Sequence, residues 1–371
     1  MKHTLIAMAA LLLVVSTGNA SPLHKAIKKR DLALVQKALE NGADVDGVYQ
    51  GHSALTLAAL YGQKEIAELL IAKGAMVTIN VAARLGKIEV VKKRLAEGVS
   101  VNTRDSWKRT PLFNTSTTEI AKLLIAKGAD IKARGQFKST PLHFAKNRKI
   151  AELLIAKGAD IHAVDWEKST PLHFATAAKR LDVAELLIKR GADLDALDNT
   201  GQTPLGWAAY KGNKKVVELL LNNGADVYAK SLGMTPLHRA SATGQAEVCE
   251  LLINHGTNVN AKDHKGDTPL EYAANTGKLN VAELLVAKGA DINARGEHNR
   301  TPLHEAAFKA NKSILLFLIA KGADVNAIDN MGKTPLDRAN KVESWQDENK
   351  KKKIAKLLRE HGAKAGAELI F

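Results

Sequence analysis

The chain of 371 residues holds a single cysteine, Cys249. That excludes a disulfide framework and a cysteine-based zinc site. Aromatic residues make up only 4%, too few for a core built on large rings, so the apolar mass must come from Leu, Ile, Val and Ala. No apolar run approaches the roughly 18 residues that a membrane helix needs. Acidic side chains are in the minority, 39 against 54 Lys and Arg, which leaves a formal charge of +15. Such a balance suits acidic partners without requiring them. What is present in quantity is a 45% hydrophobic fraction, enough for a substantial core and against wholesale disorder.

At the N-terminus, Lys2 precedes an apolar run from Leu5 to Val15, and Gly18, Asn19 and Ala20 give a small-x-small exit. A basic start, a short apolar stretch and small residues read as a secretory signal peptide over residues 1–20, cleaved near Ala20. No cysteine follows the run, which excludes a lipoprotein anchor, and the mature chain is expected to have no membrane span.

Internal repetition decides the architecture. Thr-Pro-Leu begins at Thr110, Thr140, Thr170, Thr203, Thr235, Thr268, Thr301 and Thr334, at spacings of 30, 30, 33, 32, 33, 33 and 33. Degenerate versions start at Ser21, Ser53 and Val77, giving eleven units over residues 21–364 and leaving a tail at 365–371. Each unit has the same physical logic. Thr203 can cap a helix, and Pro204 stands where a missing N–H costs nothing. Ala208 and Ala209 are small enough for close helix approach. Gly212 permits a turn, Val216 to Leu221 form a second helix, and Gly224 ends it. One such pair cannot bury its own apolar face, but stacked copies can.

These residues resemble the ankyrin-repeat family. Its hallmark Thr-Pro-Leu-His-x-Ala appears at 140–145, 170–175, 235–240 and 301–306, and the closing Gly-Ala-Asp at 42–44, 128–130, 158–160, 191–193, 224–226, 289–291 and 322–324. The resemblance implies an all-α solenoid of helix-turn-helix units with projecting β-turn fingers. It also implies protein binding through the finger tips and a concave helix face. A signal peptide on a near-pure array looks like exported bacterial ankyrin proteins, so the expected location is the periplasm or the medium.

Departures from the repeat carry more information than agreements. Gly74 is followed by the next unit after three residues rather than eleven, so one finger is missing. Thr110 to Gly128 and Thr140 to Gly158 span 18 residues where other units use 21, so three residues are lost around the first helix. An insertion of seven containing Trp345 lengthens the last unit. The two shortened units coincide with the densest charge: residues 101–150 hold eleven basic side chains against three acidic ones. Trp107, Phe137 and Trp166 lie in the turns before Thr110, Thr140 and Thr170. Phe144, Phe174 and Trp207 occupy the x of the hallmark, on or near the concave face by family resemblance. With Lys108, Arg109, Arg134 and Lys138 they form the expected partner-binding patch, since aromatic and Arg side chains are the usual interface anchors. The competing reading has lysines solvating an alanine-rich surface and aromatics filling gaps left by the short helices.

Signs of chemistry dissolve into the repeat. Ala327 to Thr334 fits a relaxed phosphate loop, but Gly332 and Thr334 recur as Gly201 and Thr203. His304-Glu305 begins like a zinc-protease helix, but Phe308 replaces the second His. His24, His143, His173, His238 and His304 are hallmark positions, where the ring is expected to bond backbone between units. Cys249 beside Val248 and Leu251 reads as a buried thiol. No enzymatic activity, cofactor or metal is expected. The expected partner is an acidic protein bound by a monomeric chain. The alternative is an anionic polymer, nucleic acid or acidic polysaccharide. No nucleic-acid docking motif is present and the basic residues are only loosely clustered, which argues against sequence-specific reading of nucleic acid.

Overall fold

The computed structural model describes residues 21–341 and 347–369; the 1–20 segment and Trp345 lie outside the described residues. The chain divides into two units, one ending at Pro171 and the other beginning at Leu172. The first contains α1 (Pro22–Lys29), α2 (Leu32–Glu40), the hairpin strands β1 (Val48–Tyr49) and β2 (His52–Ser53), α3 (Ala54–Leu60), α4 (Lys64–Ala72), α5 (Ile79–Leu85), α6 (Ile88–Ala96), α7 (Thr118–Ala126) and α8 (Arg148–Ala156). The boundary falls at the start of α9 (Pro171–Ala177). The second unit continues with α10 (Leu181–Lys189), α11 (Pro204–Lys211), α12 (Lys214–Asn222), α13 (Pro236–Thr243), α14 (Ala246–Asn254), α15 (Pro269–Thr276), α16 (Leu279–Ala287), α17 (Pro302–Lys309), α18 (Lys312–Ala320), α19 (Pro335–Asn340) and α20 (Glu348–Glu360). It is an all-α solenoid of paired helices; the hairpin joins Val48 to Ser53 and Tyr49 to His52.

All nine prolines stand directly after a Ser or Thr, at the first position of a helix or 3-10 turn. There the fixed φ fits and the missing N–H is an orphan anyway. The leucine that follows is the core anchor: Leu112, Leu142, Leu205, Leu237, Leu270, Leu303 and Leu336 are at most 1% exposed. In the second unit the first helices stack as α11, α13, α15, α17 and α19. The small pairs Ala208–Ala209, Ala273–Ala274 and Ala306–Ala307, all fully buried, let their backbones approach. Aliphatic side chains thus build the core without large rings.

Each hallmark histidine links one unit to the next. Nε2 of His143, His173, His238 and His304 lies 3.1 Å from the carbonyls of Ser169, Gln202, Asp267 and Lys333, each just before the next unit's opening Thr. Nδ1 accepts the N–H of Thr140, Thr235 and Thr301 in its own unit, which places the ring proton on Nε2. His24 reaches the carbonyl of His52 in the same way at 3.3 Å.

The lost residues fall on the first helix. In the two shortened units it is reduced to single 3-10 turns, Pro111–Asn114 and Pro141–Phe144. The insertion near the C-terminus lengthens the second helix instead. From α20, Lys351 is 1% exposed, and its ammonium donates to the carbonyls of Phe308 at 2.7 Å and Arg338 at 2.8 Å. It closes the exposed ends of α17 and α19 with charge of the sign a helix C-terminus favours. Among the described residues no helix is long and apolar enough to cross a membrane.

Candidate functional site: the finger turns of the first unit

A finger is a tight turn, held from within in five of the eight Thr-Pro-Leu units by an aspartate five residues before the opening Thr. Oδ1 of Asp105 accepts the N–H groups of Trp107 and Arg109 at 3.0 and 2.9 Å. Oδ1 of Asp165 does the same for Glu167 and Ser169, both at 2.9 Å. The turn then needs a left-handed residue two before the Thr. In the second unit Gly201, Gly233, Gly266 and Gly332 supply it, with φ of 72°, 76°, 86° and 65°, and Asn299 does so before Thr301 at 62°; Gly51 supplies it before Ser53 at 77°. Elsewhere in the first unit the same place holds Lys108, Lys138 and Lys168, at φ of 56°, 58° and 59°. All three side chains are exposed.

Neighbouring fingers bond edge to edge. Gln136 N–H donates to the Trp107 carbonyl at 2.7 Å, and Trp166 N–H to the Phe137 carbonyl at 2.9 Å. Arginines six before the Thr reinforce this. Arg104 donates to the carbonyls of Lys108 and Arg134 at 2.7 and 2.8 Å. Arg134 donates to those of Lys138 and Val164, both at 2.6 Å. Arg134, one of the expected contact residues, therefore already ties two fingers together, although it stays exposed.

The aromatic residues are less alike than their sequence positions suggest. Trp107 and Phe137 are equivalent, three before the Thr, and both are half-buried; Trp166 stands one position earlier and is 54% exposed. Phe137 and Trp166 touch, with ring centroids 5.6 Å apart. Trp107 turns the other way and stacks on His52, centroids 4.0 Å apart, while Ser106 Oγ lies 3.0 Å from His52 Nδ1. The hairpin before Ser53 thus meets the finger before Thr110 directly, across the place of the missing finger. Trp107 fills that gap, rather than projecting freely as expected.

Arg109 is also not a free surface cation. It is 3% exposed, with its guanidinium carbon 4.9 Å from the Trp107 ring centre and 4.7 Å from that of Phe144. Phe144 touches Phe113 as well, centroids 6.0 Å apart. In the second unit, Trp207 is 8% exposed and its indole donates to Oδ2 of the finger residue Asp198 at 2.9 Å. Tyr272 does the same to Asp263 at 2.8 Å and Arg338 to Asp329. The x position of the hallmark is therefore a strut that braces the finger, which departs from the expected contact role of Trp207. Phe174 is half-buried and belongs to the second unit.

Two residues that the sequence reading passed over complete the picture. Asn80 stands at a hallmark histidine position and donates to the Arg109 carbonyl at 2.9 Å, as the histidines do to theirs. Arg84, one helical turn on, bonds to Asn114 Oδ1. Burial, and then the charge of Arg109, lower its pKa to about 10. Burial also lowers Arg109. Asn80 is the fourth residue of the degenerate hallmark that begins at Val77, which marks its place but not its bond. Cys249 is buried next to Ser241, and burial raises its thiol to about 11. Among the described residues no group of His, Cys, Asp or Glu has the arrangement of a metal site.

Comparison with known families gives the same architecture. A family model described as ankyrin repeats (3 copies) matches residues 5–81, 79–165, 146–231 and 229–296, and one described as ankyrin repeats (many copies) matches 285–339. Comparison with curated proteins gives no match.

Proposed function

The chain belongs to the ankyrin-repeat family, and from that premise we propose that it is an exported, non-enzymatic interaction protein whose first-unit fingers hold an acidic segment of a protein partner. Repeats of this family generally mediate protein–protein interaction. The observation that carries the finer reading is the run of left-handed lysines. A residue with a side chain pays roughly 1–2 kcal/mol in this conformation, where glycine pays little. Three successive fingers, at Lys108, Lys138 and Lys168, keep a lysine where the fingers before Thr203, Thr268 and Thr334 keep glycine. Strain maintained at exposed tips points to a contact made there. Arg104, Arg134 and the exposed Trp166 lie along the same row. Export rests on the composition of residues 1–20, with cleavage near Ala20; N-terminal sequencing that starts near Ser21 is its check.

Charge reversal tests the reading. The full mature protein and a Lys108→Glu/Lys138→Glu variant serve as bait for the exported fraction. Wild type should retain a protein that the variant loses, and added salt should weaken retention only modestly, because aromatic contacts share the load. Retention of nucleic acid or polysaccharide instead, with a steep fall in salt, would favour the polymer reading. Equal retention by both baits removes the fingers from the site.

A further inference from the structure

We propose that Arg109, between the rings of Trp107 and Phe144, is a built anchor for one carboxylate of the acidic partner segment. The inference rests on the functional reading above and gives it an atomic site. The guanidinium carbon lies over both rings, 4.9 and 4.7 Å from their centroids. Its fork of N–H donors matches a carboxylate in a bidentate pair. The residue is 3% exposed, yet its side chain makes no hydrogen bond and no ion pair among the described residues. Arg94, Arg148, Arg300 and Arg338, by contrast, each pair with a carboxylate. Unlike Nε of Arg300, no Arg109 nitrogen is sealed from solvent.

An unpaired guanidinium at this depth is costly unless something completes it. The fold has removed the obvious candidate. Five fingers carry Asp five before the Thr, whereas the finger before Thr140 carries Gly135 there. A Cβ on Gly135 would lie 3.4 Å from Arg109 Cγ, so this is the place from which a carboxylate of the chain itself would reach the guanidinium. Asp105 is the nearest acidic neighbour, and its Oδ1 is already taken by two backbone N–H groups. Arg84 adds a second positive charge nearby, and the charge of Arg109 helps to lower its pKa. The local field therefore has one more cation than anion, and the residue's burial strengthens any pair formed. Lys108, next in the chain, stands at the finger tip that the acidic segment would cross.

The test uses the full mature protein and, as probe, an acetylated and amidated tetraglutamate peptide, with tetraglutamine and sodium acetate as comparisons at constant ionic strength. The readouts in a nitrogen-labelled sample are the Nε–Hε resonance of Arg109, assigned by its loss in Arg109→Lys, and the indole N–H resonance of Trp107, which reports binding in every variant. Tetraglutamate should shift both saturably, with a Kd on the order of 1 mM for so short a ligand. Tetraglutamine should shift neither. Arg109→Lys keeps the charge but loses the fork, and should weaken binding about tenfold with the melting temperature little changed. Arg84→Gln should weaken binding while leaving the Arg109 signal in place. No saturable shift in wild type, or equal binding by Arg109→Lys, overturns the anchor. Acetate binding as tightly as the peptide overturns the assignment to a protein segment. If partner capture still depends on Lys108 and Lys138 while the Arg109 signal stays still, only this inference fails. If capture is also indifferent to the lysines, the functional reading fails with it.

Discussion

Glu271 stands where five sister units carry the linking histidine, and it does only half of that work. Its Oε2 accepts the Thr268 N–H at 2.6 Å, as the histidine Nδ1 does elsewhere. Its Oε1 is buried without a partner. The backbone has adapted to it: a Cβ on Gly296 would lie 2.4 Å from that oxygen and 2.2 Å from Asp267 Oδ1, so only glycine fits. Burial is the main cause that raises the Glu271 pKa to about 8. A raised carboxyl pKa means that the folded chain keeps a proton which the unfolded chain releases above its ordinary value of 4.5. The stabilisation is complete below that value and is lost as pH rises toward about 8. Glu271→Gln keeps an acceptor for Thr268 and cannot ionise. Its melting temperature should exceed wild type by a margin that grows from pH 5 to pH 8 and then levels off. A margin that does not change with pH would show that Glu271 is not held neutral.

At the scale of elements, the missing finger and the two 3-10 turns shape the first unit. Three residues fewer leave one turn where a helix of about eight would stand, and fewer carbonyls to bond. The places of these losses were legible in the spacing of Thr-Pro-Leu and Gly, because a covalent count cannot hide a deletion. What fills them was not legible. Trp107 and Trp166 looked alike as finger aromatics, but a one-residue offset in a tight turn sends one ring onto His52 and leaves the other in solvent. The strut role of Trp207, Tyr272 and Arg338 was equally hidden, since three unlike side chains share only a donor at the right reach. Trp107→Ala should cost roughly 2 kcal/mol, less than a fully buried Trp because the ring is half-buried. Trp166→Ala should cost under about 1 kcal/mol. Thermal melting of both variants decides this; equal losses would mean that the His52 stack does not carry the gap.

For the molecule as a whole, stability in a stacked array is close to a sum of unit terms and neighbour terms, and one neighbour term is shared. His24 in the first unit, and His173, His238 and His304 in the second, all have lowered pKa values, with burial the largest cause. Their geometry gives the reason. Nε2–H is committed to the next unit's carbonyl, and at His238 and His304 Nδ1 faces a threonine N–H, so a second ring proton would meet a donor. The unfolded chain takes up these protons below the ordinary value of 6.5 while the folded chain does not. Stability is therefore fully present above about 6.5 and falls as pH drops below it. Glu271 and Asp267, whose pKa is also raised, act in the opposite direction, but they are two carboxyls against these four histidines and His52. The expected outcome is a melting temperature that falls steadily from pH 7 to pH 5, with hydrogen-exchange protection declining in both units rather than one. Replacing His238 by Gln, which can still donate to the Asp267 carbonyl, should flatten the slope for its neighbourhood in the second unit and leave the first unit's decline as it was. A chain that melts at the same temperature at pH 5 and pH 7 would mean that the linking histidines accept their second proton, and that the inter-unit bond does not depend on the neutral ring.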